Sequence, residues 1–235
     1  MIFNSIFKWF RLRFSSSNQS PLSEDEYYTY LFTKNHEYSS KVPNNEEMER
    51  WLNIKILLEK AVAIKGGKNF ETIIDFGCGR GWLSNIVSDY GNVVAIEPVE
   101  NVVEYARSLY PHIDFHVGSF EVLKEFKGDL VISSEVLEHF EVDQRTIFFQ
   151  KIFDSLNNNG FCIITTPRKE VLKEWSRFSD PSQPIEEWLS ELEVNNYAKN
   201  TGFEIVDKLT YSIKPIPDES APLIEVYQQW LFRKP

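Results

Sequence analysis

Three glycines and two acids carry the first chemical signal in the chain. The run from Ile73 to Gly81 reads IIDFGCGRG, and a second apolar run, Val93 to Ile96, ends on Glu97. An apolar strand that breaks into Gly77, Gly79 and Gly81 and then into a helix-like segment is the layout of a nucleotide-binding strand, loop and helix. Glycine suits such a loop because it tolerates positive φ and lets a ligand approach the backbone closely. An acid ending the next strand, here Glu97, is placed to hold the two hydroxyls of a ribose. The spacing is G-x-G-x-G, and Asp75 stands at the mouth of the loop, where a dinucleotide would bring its pyrophosphate. A carboxylate there repels phosphate and attracts an ammonium group. The favoured ligand therefore carries a ribose and a positive charge but no phosphate, which disfavours a nicotinamide dehydrogenase.

A second cluster follows a later apolar run. Glu135, Glu138 and His139 lie at i, i+3 and i+4, a spacing that puts all three on one face of a helix. Their residue types allow three readings. His139 is a general base for a hydroxyl, its basicity supported by the carboxylates. Alternatively the three are ligands for a divalent cation, Mg²⁺ or Mn²⁺. In the third reading Glu135 caps a helix and His139 packs beside the bound ligand. The cation reading needs a further ligand, for which Gln183 and Glu186 are the candidates.

S-adenosylmethionine offers an ammonium, a sulfonium and a ribose with no phosphate, and the stretch from Asp75 to Glu97 resembles motif I of the class I S-adenosylmethionine-dependent methyltransferases. The run DLVISSEVLEHF from Asp129 resembles the fourth-strand motif of the subgroup that includes the ubiquinone-pathway O-methyltransferases. NGFCIITTP resembles the strand that follows it, and the likeness covers about residues 70–210. It implies a cofactor set of Asp75, Gly77, Cys78, Gly79, Glu97, Pro98, Ser119, Phe120, Ser133 and Ser134, with His139 and Glu135 as catalytic candidates. The E-x-x-E-H spacing is shared with the small-RNA terminal 2′-O-methyltransferases, whose use of it implies a metal site at Glu135, Glu138 and His139. Those enzymes place another histidine downstream, where this chain has Ser182-Gln183-Pro184-Ile185-Glu186. A second departure follows the third strand: Gly118-Ser119-Phe120-Glu121 stands where the family usually has an acid near the adenine amino group. Either Ser119 with backbone groups takes that contact or Glu121 is displaced into it. The fourth-strand run SSEV is not the N/D-P-P-Y/F run that grips a planar nitrogen, which disfavours methylation of DNA bases or glutamine. The implied function is methyl transfer to a small-molecule acceptor, at oxygen rather than nitrogen or carbon, with a non-catalytic S-adenosylmethionine-binding scaffold as the rival.

These residues need a scaffold, and the composition allows one. A chain of 235 residues is long enough to bury a sizeable core, and a net charge of −10 is the wrong sign for a general nucleic-acid binder, so DNA is not an expected partner. The two cysteines, Cys78 and Cys162, form no disulfide framework and fit a reducing cytoplasm. No apolar run approaches the roughly 20 residues that span a bilayer. Residues 1–20 stand apart, because Phe3, Ile6, Phe7, Phe10 and Phe14 recur at helical spacing among Lys8, Arg11 and Arg13. This basic amphipathic pattern suits a weak contact with an anionic membrane surface through residues 1–17, or a lid over the domain.

Strand and helix then alternate. Helices are expected at Ser23 to Thr33 and Glu46 to Ile64, the second stopped by Gly66-Gly67. Strands are expected at Thr72 to Phe76, Val93 to Ile96, Ile113 to Val117, Leu130 to Ser133 and Phe161 to Thr165. Between them lie helices at Trp82 to Tyr90, Val99 to Tyr110 and Val136 to Leu156, with a short turn near Phe120 to Phe126. A helix over about Ile185 to Asn200 precedes two further strands, FEIVDKLTYSI and Leu223 to Phe232. The expected architecture is a doubly wound, mostly parallel seven-stranded α/β sheet of the Rossmann-like methyltransferase kind with an N-terminal helical extension. Its expected units are a basic segment at 1–20, a helical cap at 21–68 and the main domain at 69–235.

Overall fold

The computed structural model describes residues 23–179, 183, 184 and 186–235. The basic segment at residues 1–20, with its membrane or lid role, and Ser182 and Ile185 therefore lie outside the described residues. Among the described residues no helix is long and apolar enough to cross a membrane.

Two helices precede the sheet. α1 (Glu24–Thr33) and α2 (Asn45–Ile64) each begin at a reciprocal capping box, Ser23 with Glu26 and Asn44 with Glu47. The sheet that follows comprises β1 (Thr72–Phe76), β2 (Asn92–Glu97), β3 (Asp114–Val117), β4 (Gly128–Ser134), β5 (Leu156–Pro167), β6 (Glu204–Ile213) and β7 (Ile224–Arg233). Their order is β3-β2-β1-β4-β5-β7-β6, with β7 antiparallel to both neighbours and the other pairs parallel. Helices α3 (Trp82–Val87), α4 (Glu100–Leu109), α5 (Phe120–Leu123), α6 (Val142–Ser155), α7 (Leu172–Trp175) and α8 (Glu191–Thr201) connect the strands. The central strands read as unbroken apolar runs because both faces are covered. Ile73, Leu130 and Ile163 pack with Ile54, Leu58 and Leu83 on one face, while Ile74, Val131 and Ile164 pack with Phe148, Ile152 and Val194 on the other.

The strand order reverses direction between β1 and β4. In such a sheet the crevice outside the carboxyl ends of the strands at that reversal is where a ligand sits. Asp75 near the end of β1 and Ser134 at the end of β4 border it on the α2 side, since side chains alternate and these two follow Ile73 and Ile132.

Three expectations are corrected. The helix read over Val136 to Leu156 is broken: Leu137–His139 is one 3₁₀ turn, Phe140 is extended, and α6 starts at Val142. Glu135, just before this turn, adopts a left-handed conformation (φ 56°) with its N–H donated to the Thr165 carbonyl at 3.0 Å. Arg145 then holds the extended Phe140 through its carbonyl at 3.1 Å. The helix expected from Ile185 starts only at Glu191, where Ser190 and Glu193 form a capping box, and Leu189 bridges to Arg168 instead. Finally, the fifth strand is longer than expected, running Leu156–Pro167 with a register shift that absorbs Asn157 to Gly160.

Candidate functional site

The loop after β1 is shaped by its neighbours. Gly77, Gly79 and Gly81 take φ of 77°, 52° and 82°, a region open to glycine at no steric cost. A Cβ on Gly77 would collide with the Val136 side chain, and one on Gly79 would press on the Phe32 ring of α1. Glu97 ties the loop to β2: one carboxylate oxygen accepts the Gly79 N–H at 3.1 Å, the other the Val99 N–H at 3.2 Å. Burial pushes its pKa up to about 7 despite those bonds. Asp75 is also buried, and Ser84 Oγ of α3 donates to it at 2.5 Å. Burial raises this carboxyl to about 6. Cys78 is a buried thiol pushed well above its ordinary range, so it is an inert wall of the loop rather than a nucleophile. Pro98 is exposed in the turn between Glu97 and Val99.

A cavity opens beside this loop, lined by Asp75, Gly77, Cys78, Trp82, Ser134 and Arg50. The expected cofactor residues thus fall into three groups. Asp75, Gly77, Cys78 and Ser134 meet at the cavity, and Gly79 and Glu97 are joined by the bond just described. Ser133, Ser119 and Phe120 do not line the cavity. Ser133 faces the opposite side of β4, fully buried, with its hydroxyl unpartnered. Phe120 stacks on Phe76 at 5.5 Å and on Phe140 at 5.1 Å, beyond the end of β3. Glu121 turns back to accept the Ser119 N–H at 2.9 Å, a bond that holds its pKa below the usual carboxylate range. It caps its own turn.

Glu135, Glu138 and His139 do not share a helix face. Glu135 accepts the Thr165 hydroxyl at 2.6 Å, and burial pushes it up to about 8 although Arg50 pulls the other way. Glu138, almost fully buried, accepts the Thr166 hydroxyl at 3.1 Å and is raised by burial to about 7. His139 Nε2 lies 4.0 Å from Glu138 Oε1, and its ring meets Tyr28 of α1 edge-on at 6.0 Å. Among the described residues no group of three or more His, Cys, Asp or Glu side chains is arranged to hold a metal ion. Gln183 accepts the Tyr28 hydroxyl at 3.3 Å, and Glu186 accepts the Trp188 indole N–H at 2.7 Å. Glu135 and Glu138 are each bonded to a threonine of β5, and in this geometry they and His139 are not gathered as the expected cation ligands.

With this geometry in place, the sequence of residues 39–208 matches a family model described as a methyltransferase domain. The chain belongs to that methyltransferase family. It is 29% identical over 175 residues to juvenile hormone acid O-methyltransferase of Bombyx mori, a match covering 64% of this chain and 59% of that protein. A 67-residue stretch is 34% identical to a protein of Invertebrate iridescent virus 6, covering 27% of this chain and 25% of that one. The chain thus spans under two thirds of the length of either relative. In fold, the methyltransferase domain is similar to N-methyltransferase NodS of Bradyrhizobium japonicum, with a TM-score of 0.68 at 14% identity over 91% of this chain and 100% of that one. It is also similar to the magnesium protoporphyrin IX methyltransferase of Synechocystis, at 0.62 and 13% identity over 93% and 100%. At such identities these two show the fold alone.

Two basic residues of the methyltransferase domain escaped the sequence reading. Arg50 reaches the cavity from α2, paired with Glu46 at 3.1 Å and lying over the Tyr227 ring at 5.5 Å. In sequence it is an ordinary i, i+4 surface pair, and only the approach of β7 makes it inward-facing. Arg80, inside the glycine loop, is fully buried. Its only local signal is the pair of glycines around it.

Proposed function

We propose that this methyltransferase domain binds S-adenosylmethionine and methylates an oxygen of a small molecule. One observation carries the cofactor reading: Asp75 and Arg50 line the same cavity beside Gly77 and Ser134. An acid and a base facing one space complement the two charges of an α-amino acid, the ammonium at Asp75 and the carboxylate at Arg50. Each Glu97 oxygen accepts a single backbone N–H, which leaves lone pairs for two ribose hydroxyls. The Phe32 ring of α1 rests on Gly79 at the edge of the glycine loop.

When bound, the cofactor supplies an electrophilic methyl group open to in-line displacement. The residues of the chain orient, dry the site and handle the acceptor's proton. His139 is the proton acceptor in this reading, and Glu138 beside it stabilises the imidazolium that forms. Oxygen is favoured by the motif SSEV and by the likeness to an O-methyltransferase of Bombyx mori. Methyl-label transfer from S-adenosylmethionine to a panel of carboxylic acids, phenols, alcohols and amines tests this. Labelled esters or ethers support it. Label only on amines reassigns the acceptor atom, and binding without transfer to any acceptor favours a non-catalytic scaffold.

A further inference from the structure

Arg80 is a charge with no access to water, set between Gly79 and Gly81 in the middle of the cofactor loop. Its guanidinium makes a two-pronged bond to Glu47 of α2, at 2.5 and 2.7 Å, and Nε donates to the Ser40 carbonyl at 2.7 Å. Glu47 is itself held, because the Asn44 N–H donates to it within the capping box at 2.8 Å. Two tyrosines of the main domain fasten the same strap of chain. Tyr105 donates to the Ser39 carbonyl at 2.6 Å and Tyr110 to the Lys41 carbonyl at 2.5 Å. The strap between α1 and α2 is thus pinned at three successive carbonyls, and one of the three pins grows out of the glycine loop.

Stability alone gives a weak reason for such a pair. Two buried charges are costly to dry, and apolar residues of similar volume often do as well or better. A bidentate pair supplies direction instead, fixing a backbone segment at a set distance and angle. The segment fixed here has left-handed residues on both sides, a shape that a glycine-rich chain pays entropy to hold.

We propose that Arg80 and Glu47 are a positioning pair that holds the Gly79–Gly81 segment in its ligand-ready shape before the cofactor arrives, so that binding does not have to order it. This rests on the cofactor reading above. The test compares Arg80→Met combined with Glu47→Gln, which leaves no orphaned charge and keeps the capping box, against Tyr110→Phe, which removes only the hydroxyl that holds the strap and keeps the ring in place beside Gly81. Two readouts are taken on folded protein: the dissociation constant for S-adenosylhomocysteine, and hydrogen exchange at the amides of residues 79–82 without ligand. Binding at least tenfold weaker and faster exchange in the double variant are expected, with both within twofold of the wild type in Tyr110→Phe. If the double variant does not fold, Arg80→Lys, which keeps the charge but loses the fork, carries the same readouts. Affinity and exchange within twofold of the wild type overturn the proposal, as does an equal loss in Tyr110→Phe. A wild type that does not bind S-adenosylhomocysteine refutes the cofactor reading, and the exchange readout then decides the loop-holding role by itself.

Discussion

Asp75 and Arg50 bring opposite charges to one cavity, the acid from β1 and the base from a helix that precedes the sheet. The pairing has a measurable consequence. Arg50→Met should weaken S-adenosylhomocysteine by about 10- to 100-fold, the range expected for one charge-assisted contact. It should leave binding of 5′-methylthioadenosine, which lacks the amino-acid half, nearly unchanged. Calorimetric titration of both ligands checks this, and an equal loss for the two would remove Arg50 from carboxylate recognition.

Asp75 sets a pH dependence. Its carboxyl, raised by burial to about 6, must be ionised to hold an ammonium group. S-adenosylhomocysteine should therefore bind more tightly as pH rises from 5 to 7.5, and Asp75→Asn should bind weakly at all pH values with that dependence flattened. Stability runs the other way. The folded state holds this proton more tightly than the unfolded chain does, so the ligand-free protein should lose stability between the ordinary carboxyl value and about 6 as pH rises. Thermal melts across that range, with and without ligand, separate the two trends.

His139→Ala should slow methyl transfer by about 10²–10⁴-fold with cofactor affinity preserved, the usual cost of losing a general base. A chelator should leave the rate unchanged, since Glu135, Glu138 and His139 do not converge as ligands. Activity that vanishes with chelator and returns with Mg²⁺ or Mn²⁺ would contradict this assignment.

Gln229 of β7 is fully buried, and neither polar atom of its amide has a partner. An unpaired buried polar group costs about 1–3 kcal/mol. Gln229→Met, similar in volume, should raise the melting temperature by about 2–4 °C for each kcal/mol regained. A fall of that size would mean that the amide binds an ordered water or the acceptor.

Legibility in the sequence followed how local each signal was. The seven strands showed as apolar runs, and the loop from Asp75 to Gly81 could be read as a ligand cradle because strand, glycines and acid are contiguous. Glu97 followed from its place at the end of the next strand. The break after Ser134 was hidden, since the left-handed turn at Glu135 is anchored on Thr165, 30 residues further on. A regular E-x-x-E-H spacing therefore suggested a helix face that tertiary contacts undo. The start of α8 is readable from Ser190-x-x-Glu193, and Trp188 and Leu189 before it pack in the core outside the helix. Arg50 and Arg80 were illegible for a different reason. Nothing local distinguishes a surface arginine from one that a distant strand or helix encloses.

Cofactor binding is the claim on which the rest depends, and calorimetric titration of the full chain with S-adenosylhomocysteine tests it most directly. One equivalent bound with micromolar affinity, greatly weakened by Asp75→Asn and by Glu97→Ala, is the expected result. A folded chain that takes up neither S-adenosylhomocysteine nor S-adenosylmethionine at millimolar concentration would contradict it.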